Sequence, residues 1–264
     1  MTLPTPDPAF HWTAEAWGHA LRCKPLSAIA QHAFTSKQLQ LRSGGPAAHP
    51  EGWTQAVASV GAGLEQVIRV RQVHGASVRV LRHAETGPAD VAAVPDGDAI
   101  VSDAHGYVLS VQVADCVPIL MASAKDGVVA AVHAGWRGTC ASVARAAIDA
   151  MVRECGVNPS DVTAAIGPSI GACCYEVGTS VRDAFAAAGH GEEHLSRWFS
   201  ANSQGSPRLD LWTANRDQLT TAGVREDHIY ICGLCTQTHR DVFESYRVDG
   251  PKAGRLLALV AVPH

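Results

Sequence analysis

The sequence predicts an α/β fold built as a single layered domain. In its central third, three apolar runs rich in β-branched residues follow one another between turn residues: AIVSD (99–103), YVLSVQVADCVPILMAS (107–123) and GVVAAVHAGWRG (127–138). Runs without polar alternation are typical of strands buried on both faces, as in a layered α/β core. Residues 139–154 then have helical spacing, and Gly156 follows where such a helix would end. Internal repeats and long linkers are absent from the sequence, so we expect one catalytic domain over residues 1–264.

The elements before the central runs are predicted from composition and spacing. Residues 1–25 begin with a segment rich in Pro and Trp, from which we expect an N-terminal surface arm. Residues 43–52 (SGGPAAHPEG) carry Gly and Pro without periodicity, which indicates a loop. The other predictions for this part are a helix over 53–64, a strand over 67–75 that ends near His74, and its short continuation over 77–82.

The elements after the central helix alternate between the two types. A strand that runs into a loop rich in Gly is predicted over 162–177. Helical spacing then predicts two helices, and two further apolar runs predict strands, of which the terminal RLLALVAV is buried again. These helices cover 178–188 and 210–221, and these strands cover 228–232 and 255–262.

Composition and charge exclude several classes of protein. With 47% hydrophobic and 17% charged residues, the chain has the composition of a globular protein and not of a disordered one. Its net charge of −4 provides no extended positive field, so nucleic acid is not expected as a partner. No run approaches the roughly 20 apolar residues of a membrane span, so no membrane partner is expected either.

The start of the chain and its cysteines predict a cytoplasmic location. Asp7 and nearby prolines stand where an export signal would carry basic residues and then an apolar run. Several of the eight cysteines lie inside apolar runs. Reduced thiols with buried or metal-binding roles are therefore favoured over a disulfide framework. We expect a monomer or a homodimer.

Three predicted strand ends carry side chains that bind metals. They are His74 in VRQVHG, Cys116 in VQVADCVP and His133 in AAVHAGWRG. Two imidazoles and one thiolate suit Zn²⁺, and three protein ligands leave a fourth position for water or substrate, as in catalytic sites. Cu²⁺ accepts the same donors and is the alternative. Long spacings separate the three residues, so each could instead be a hydrogen-bonded core histidine or an inert buried cysteine.

The segment HAGWRGT is a predicted turn between a buried strand and a helix. Gly135 and Gly138 would let the backbone approach a ligand closely. The start of the helix offers N–H groups to a phosphate or carboxylate, and Arg137 could add a bidentate contact. The alternative is a tight structural turn with an exposed arginine.

Two segments that contain cysteines are weaker candidates. GPSIGACCYE (167–176), which includes Tyr175, has the mixture of glycine, cysteine and polar residues typical of a cleft lining, although a rigid turn would look similar. CGLC (232–235) is a CxxC sequence, but a second pair at zinc-site spacing is absent from the sequence. Redox use would require a thioredoxin-like unit, so we favour no chemical role for CGLC.

Several segments together resemble a known family. They are QVHG (72–75), ADC (114–116), HAGWRG (133–138), IGPSIGACCYEV (166–177) and FESYRVDG (243–250) followed by GR (254–255). In this order they resemble the YfiH/laccase-domain family, which includes the bacterial relatives of human laccase-domain-containing protein. The resemblance extends from about His32 to the end of the chain.

The resemblance implies a layered α/β/β/α single domain with zinc bound by His74, Cys116 and His133. It also implies purine nucleoside and phosphate as substrates. The implied reactions are phosphorolysis of adenosine, inosine, guanosine or methylthioadenosine, and deamination of adenosine. An older label in the same family is copper-dependent polyphenol oxidase.

The chain departs from the family pattern at two places. The family's early loop, GFSTRxGGVS, corresponds here to HAFTSKQLQLRSGG (32–45), so its phosphate-binding basic residue could be Lys37 or Arg42. Ser169 stands where the family often has a cysteine, so a role of that cysteine would not carry over.

Two further residues are candidates for catalysis. Gln72 alternates with His74 on the predicted strand and is expected to share its face and contact substrate. Asp115, next to Cys116, is a candidate acid/base group, although neighbouring residues of a strand point to opposite faces.

Three other functions stay open at this point. Oxidation of phenols by several coppers would need dense histidine clusters, and the 13 histidines are scattered. A hydrolase could use Cys116 as nucleophile and His133 as base, and metal content would separate it from a metalloenzyme. A structural metal-binding protein would need a fourth protein ligand.

Overall fold

The computed structural model describes residues 2–83, 93–201 and 205–262. The strands are β1 (Phe10–Glu15), β2 (Gly18–Cys23), β3 (His32–Thr35), β4 (Val67–Ile68), β5 (Val78–Leu81), β6 (Ala99–Ser102), β7 (Val108–Val113), β8 (Val117–Ser123), β9 (Val128–Ala134), β10 (Val162–Ile166), β11 (Phe199–Ala201), β12 (Pro207–Leu209), β13 (Ile229–Ile231) and β14 (Leu256–Ala261). The helices are α1 (Lys24–Ser27), α2 (Pro50–Ala58), α3 (Trp136–Cys140), α4 (Val143–Cys155), α5 (Thr179–Ala187), α6 (Glu192–Trp198), α7 (Leu211–Thr221) and α8 (Tyr246–Asp249).

Two six-stranded sheets form the inner layers of the fold. The first has the order β1-β2-β3-β14-β7-β4 and the second β13-β10-β8-β9-β6-β5. Apolar side chains of both sheets, including Phe34 and Leu120, pack against each other between them. Trp53 of α2 packs on the outer face of the first sheet, and α4 and α7 pack on the outer face of the second. The predicted layered α/β/β/α domain is confirmed.

The central apolar runs are strands covered on both faces, as predicted. Every residue of β8 and of β9 is buried. One face of these strands meets the first sheet and the other meets α4, because alternate side chains belong to the two different cores. The run 107–123 is not one strand, however. It divides into β7 and β8 at Asp115, whose φ of 81° turns the chain.

The N-terminal residues form part of the first sheet and not the expected surface arm. β1 pairs with β2 from Phe10–Cys23 to Glu15–Gly18. β2 continues the sheet by pairing with β3. The proline-rich start packs on this hairpin, where the Trp12 indole N–H donates to the Pro4 carbonyl at 2.8 Å. Apolar and polar residues alternate in β1, and this alternation favours a strand despite the nearby prolines.

Two other predicted elements are shorter than expected. The strand expected over 67–75 is limited to β4, and the chain turns at His74 with φ 62°. The helix expected over 139–154 is divided into α3 and α4 by Ser142, whose φ is 61°. Its predicted end at Gly156 is confirmed, since that residue caps α4 with φ 71°.

The remaining predicted elements are present, and most ends differ by one or two residues. The exception is the helix expected over 53–64, which spans Pro50–Ala58. The helices correspond to α2, α5 and α7, and the late strands to β10, β13 and β14. The sequence reasoning missed β3, α6 and the small β11–β12 sheet. Within the described residues, no helix combines the length and apolar character needed to cross a membrane.

Candidate metal centre and substrate cavity

The end of the β8–β9 hairpin brings a cysteine and a histidine together. The two strands pair antiparallel, with Val117 opposite Ala134 and Pro118 opposite His133. Cys116 directly precedes β8, so this register places it beside the turn that follows β9. His133 is 3% exposed and Cys116 is half-buried. The two side chains meet because they belong to the same edge of one hairpin.

Asp98 fixes the orientation of His133. It is fully buried directly before β6, and its Oδ1 lies 2.8 Å from His133 Nδ1. Its backbone carbonyl also accepts a hydrogen bond from the His133 N–H at 2.7 Å. A carboxylate that holds the proton on Nδ1 leaves Nε2 as the atom that can bind a metal.

The same carboxylate positions the loop that carries His74. Asp98 accepts hydrogen bonds from the N–H groups of His74 at 2.9 Å, Gly75 at 2.6 Å and Val73 at 3.3 Å. This explains how His74 is held at φ 62°, a conformation that residues other than glycine rarely adopt. One buried carboxylate thus orients both histidines.

The metal cluster consists of His74, Cys116 and His133, whose ligand atoms lie within 4.8 Å of one another. The two imidazole rings meet edge to face, with centroids 4.8 Å apart and planes at 82°. A Cβ at Gly135 would lie 2.8 Å from Cys116 Sγ and 3.2 Å from His74 Cδ2, so only glycine leaves room for this arrangement. Two imidazoles and a thiol, with a carboxylate behind one imidazole, fit a catalytic transition-metal site.

Electrostatics within the cluster favour a thiolate. Burial raises the pKa of Cys116, but the neighbouring His133 and His74 outweigh it and hold this pKa below its ordinary value. Burial lowers the pKa of His133, while Cys116 and Asp98 raise it above its ordinary value. Burial raises the pKa of Asp98, but hydrogen bonds from His133 and from the Gly75 N–H outweigh burial and hold this pKa below its ordinary value. A thiolate is the form that binds metals and that acts as a nucleophile.

A cavity of about 760 Å³ opens over the metal cluster. Its lining includes three arginines, Arg69, Arg71 and Arg255. The Arg69 guanidinium lies over the Trp53 ring, 5.4 Å from its centroid. Ser110 also lines the cavity, and its buried Oγ has no hydrogen-bond partner in the described part of the chain. Positive charge and an unpartnered hydroxyl group therefore lie near the metal cluster.

The structure does not bring the two residues expected to bind phosphate into this cavity. Lys37 Nζ donates to the Arg240 carbonyl, and Arg42 donates to the Lys252 carbonyl at 2.7 Å. A 3-10 turn over 37–39 follows β3 and directs both side chains to C-terminal loops. Only the tip of the predicted loop, residues 43–45, lines the cavity.

Gln72 lines the cavity, but its side chain already has backbone partners. Its Nε2 donates to the Gln112 carbonyl at 2.7 Å, and its Oε1 accepts from the Gln112 N–H at 2.8 Å. This amide replaces the pairing that an extended strand would have made beside β7. The geometry therefore makes Gln72 a residue that positions the His74 loop.

Asp115 faces loops and not the metal cluster. Its carboxylate accepts hydrogen bonds from Thr236 Oγ1 at 2.5 Å, Ser245 Oγ at 3.1 Å and the Arg247 N–H at 2.6 Å. The Asp115 side chain contacts the C-terminal loops, whereas Cys116 belongs to the metal cluster, as expected for neighbouring residues that point to opposite faces. These three hydrogen bonds make Asp115 an anchor for the C-terminal loops, and the acid/base role stays a prediction.

The turn after β9 contributes glycines to the site but not its arginine. Arg137 is exposed and stacks on its neighbour Trp136, 4.3 Å from the ring centroid. Gly138 lies against the His74 loop, where a Cβ would be 3.0 Å from the Gly75 carbonyl oxygen. The close backbone approach expected at Gly135 and Gly138 thus serves the metal cluster.

Tyr175 is half-buried in the loop that also carries Cys173 and Cys174. The Arg247 guanidinium lies over its ring, 5.1 Å from the centroid. Burial, with an additional contribution from the negative charge of Cys116, raises the pKa of Tyr175 to about 12. Its hydroxyl therefore keeps its proton across the physiological pH range.

Sequence reasoning missed Asp98, Arg69 and Arg255. Asp98 could have been noticed as a charged residue directly before the buried run AIVS. Arg255 belongs to the GR pair of the family pattern, and Arg69 is a polar position of the alternating segment VIRVR. None of these signals indicates a cavity without the fold.

Comparison with known proteins yields one family and several related enzymes. A family model described as "Multi-copper polyphenol oxidoreductase laccase" matches residues 26–263. A purine nucleoside phosphorylase from Deinococcus radiodurans is 35% identical over 244 residues, which cover 88% of this chain and 89% of the relative. A purine nucleoside phosphorylase from Bacteroides thetaiotaomicron is 39% identical over 165 residues, covering 62% of this chain and 60% of the relative.

Other similarities extend the comparison. A protein named adenosine deaminase RL5, from an unknown prokaryotic organism, is 36% identical over 200 residues, covering 74% of this chain and 75% of the relative. The crystal structure of YlmD from Geobacillus stearothermophilus matches with a TM-score of 0.82 at 31% identity. That match covers 96% of this chain and 99% of YlmD, so the two folds agree over nearly their whole lengths.

Proposed function

The chain belongs to the multi-copper polyphenol oxidoreductase laccase family, and we propose that it is a zinc-dependent purine nucleoside phosphorylase. Relatives named purine nucleoside phosphorylase support the proposal. The reaction splits a nucleoside with inorganic phosphate into a sugar 1-phosphate and a free purine. The substrates we propose are adenosine, inosine, guanosine and methylthioadenosine. The observation that carries the proposal is a cavity that combines the metal cluster with three arginines.

The cavity supports this reaction through its size and charge. Its volume lies within the range of roughly 300–1,000 Å³ found for small-molecule sites. The guanidinium groups of Arg69 and Arg255 can hold phosphate and place it against the sugar carbon C1′. Arg71 is paired with Asp96 and adds positive charge at the cavity edge. Because the sugar becomes positively charged as the purine leaves, an adjacent phosphate anion stabilises the transition state. Tyr246, 51% exposed in the cavity lining, offers a ring on which the purine can stack.

The donor atoms of the metal cluster favour zinc as the bound ion. His74, Cys116 and His133 would hold the ion as three protein ligands, and Asp98 would keep His133 in the binding orientation. When bound there, zinc supplies Lewis-acid chemistry at its open fourth position. We propose deamination of adenosine as a second activity of the same cavity, in which water replaces the amino group and ammonia leaves. The relative named adenosine deaminase RL5 supports it.

Two rival functions have less support. A copper-dependent polyphenol oxidase needs several coppers and many imidazoles. Among the described residues, only two groups of three side chains could hold a metal, the metal cluster and one group of three cysteines. The oxidase function is therefore supported by the family description and not by a set of copper sites. A Cys-His hydrolase would use Cys116, His133 and Asp98 as nucleophile, base and orienting group. A second imidazole, His74, at the same sulfur favours a metal instead.

The test uses protein purified without added metal. It is incubated with adenosine and inosine, with and without phosphate, and products are separated by chromatography while metal content is measured. We expect release of free purine that depends on phosphate, and bound zinc. In Cys116→Ala and His74→Ala we expect loss of the release and of one zinc per chain. Cys155→Ala, a cysteine at the end of α4 outside the cavity lining, is the matched control and should keep both.

The alternatives give different results in the same experiment. No turnover of any nucleoside, together with stoichiometric copper and oxidation of phenols, would replace the phosphorylase with the oxidase. Activity that survives complete removal of metal but not Cys116→Ala would replace it with the hydrolase.

A further inference from the structure

A second group of thiols lies in the loops beyond β10 and β13. The Sγ atoms of Cys173, Cys174 and Cys235 lie within 4.8 Å of one another, and those of Cys173 and Cys174 are 3.5 Å apart. We propose that this thiol cluster is a separate binding site for a thiophilic cation such as Zn²⁺ or Cu⁺. The proposal does not depend on the nucleoside reaction.

The spacing of the sulfurs suits one bound cation. Two thiolates on a tetrahedral zinc lie about 3.8 Å apart, given Zn–S bonds of about 2.3 Å. Small side-chain rotations therefore bring all three sulfurs to that distance. Thr238 Oγ1 lies 3.7 Å from Cys173 Sγ and 3.5 Å from Cys174 Sγ, so an oxygen is also within reach of the centre. All-sulfur donor sets select soft cations.

The backbone holds Cys235 beside the other two cysteines. β10 and β13 are parallel neighbours, and their pairing continues past the strand ends in a bridge between Ser169 and Cys235. The Thr236 N–H donates to the Ser169 carbonyl at 3.0 Å, and the Gly171 N–H donates to Cys235 Sγ at 3.3 Å. The third sulfur is thus fixed by the sheet, because two adjacent strands place both loops at one end.

A tight turn presents the two adjacent cysteines. The N–H groups of Cys174 and Tyr175 both donate to the Gly171 carbonyl at 3.0 Å. This turn directs the Cys173 and Cys174 side chains toward Cys235, although neighbours in an extended segment would point apart. Cys173 is exposed whereas Cys235 is 4% exposed, so a cation can arrive from solvent and reach a protected ligand.

The other cysteine of the CGLC sequence does not take part. Cys232 is fully buried in the core between the two sheets, and burial raises its pKa to about 12. Cys235 is separated from it by the turn through Gly233, whose φ is 72°. The residues that could bind a cation together with Cys235 are therefore Cys173 and Cys174, and not Cys232 of the CxxC pair.

The test measures binding of Cd²⁺ by thiolate-to-metal charge-transfer absorption, in reduced protein under anaerobic conditions. In a His74→Ala/Cys116→Ser background, which disables the metal cluster, we expect one Cd²⁺ per chain. Its absorption should be about three times that from the metal cluster alone, since three sulfurs bind instead of one. Adding Cys173→Ser and Cys174→Ser should abolish it, as should adding Cys235→Ser.

Two controls keep the experiment decisive. Cys155→Ser in the same background should still bind one Cd²⁺, and Zn²⁺ should compete for the site. Circular dichroism of each variant, compared with its background, verifies that lost binding is not lost folding. Absence of the absorption in the background variant, its persistence after Cys173→Ser/Cys174→Ser, or a disulfide among the three cysteines in place of metal uptake would overturn the proposal.

Discussion

The metal cluster and the thiol cluster both use cysteine sulfur, but they are built on different supports. Cys116 and His133 lie at the ends of two paired, fully buried strands, so hairpin register fixes their separation. Cys173 and Cys174 lie on a loop turn, and only Cys235 is fixed by strands. Strand ends fix two of the three members of the metal cluster, and Asp98 holds the loop of the third, His74. A loop turn leaves the thiols freer to adjust around an ion.

The surroundings of the two clusters differ as much as their supports. A carboxylate orients the histidines of the metal cluster, and an arginine-lined cavity covers it. The thiol cluster has a hydroxyl group beside its sulfurs and lies at an open surface cleft lined by Cys174 and Thr179. Three mixed donors below a cavity suit catalysis, and three sulfurs at a surface suit cation capture.

The largest expected effect tests the orienting carboxylate. Asp98 accepts hydrogen bonds from the His133 ring and from the N–H groups of residues 73–75. In Asp98→Asn the new NH₂ group would face one of these donors, so we expect zinc affinity to fall by about 100-fold, the upper end for groups that orient metal ligands. Competition with a chromophoric chelator measures this affinity, in a Cys173→Ser/Cys174→Ser background that disables the thiol cluster.

A second aspartate next to the same strand provides the control. Asp103 follows the other end of β6, where it pairs with Arg82 at 2.9 Å. Asp103→Asn should bind zinc like the unchanged protein. Equal zinc affinity in Asp98→Asn and Asp103→Asn would show that strand register alone holds the ligands.

A smaller effect is expected from crowding the same cluster. In Gly135→Ala the added Cβ would lie 2.8 Å from Cys116 Sγ, closer than such atoms can approach, so the sulfur must shift. Overpacking of this kind costs about 1–3 kcal/mol, and we expect about 1–2 kcal/mol here because the sulfur is the free end of its side chain. That cost corresponds to about a 5- to 30-fold loss of zinc affinity. Gly191→Ala is the matched control, since Gly191 also precedes a helix and a Cβ there meets no atom within 4 Å. Unchanged zinc binding in Gly135→Ala would contradict a tightly fixed cluster.

The contrast between the two clusters also explains what the sequence could predict. Cys116 and His133 border long apolar runs, which predicted that both residues lie at the ends of buried strands. The family resemblance then grouped them with His74. Asp98 has no comparable signal, because its importance arises from four donors that meet only in the folded chain. The candidate ligands were therefore predictable, and the residue that orients them was not.

The loops were predicted less well than the strands for the same reason. Lys37 and Arg42 were expected near phosphate by their position in the chain, but their side chains are held by carbonyls of distant loops. Arg69 and Arg255 reach the cavity because β4 and β14 end near it. Periodicity predicts which face of a strand is buried but not where a loop side chain points.

The smallest expected effect tests how firmly the thiol cluster is held. Thr238→Val removes a hydroxyl that lies 3.5 Å from Cys174 Sγ and can donate a hydrogen bond to a thiolate. One such bond contributes about 1 kcal/mol, so Cd²⁺ affinity should fall by about fivefold. Thr220→Val on α7, where the hydroxyl donates to the Arg216 carbonyl, is the control and should not change it. If Cd²⁺ affinity fell in Thr238→Val by as much as zinc affinity falls in Asp98→Asn, the thiol cluster would be as preorganised as the metal cluster. The proposed difference between strand and loop supports would then be wrong.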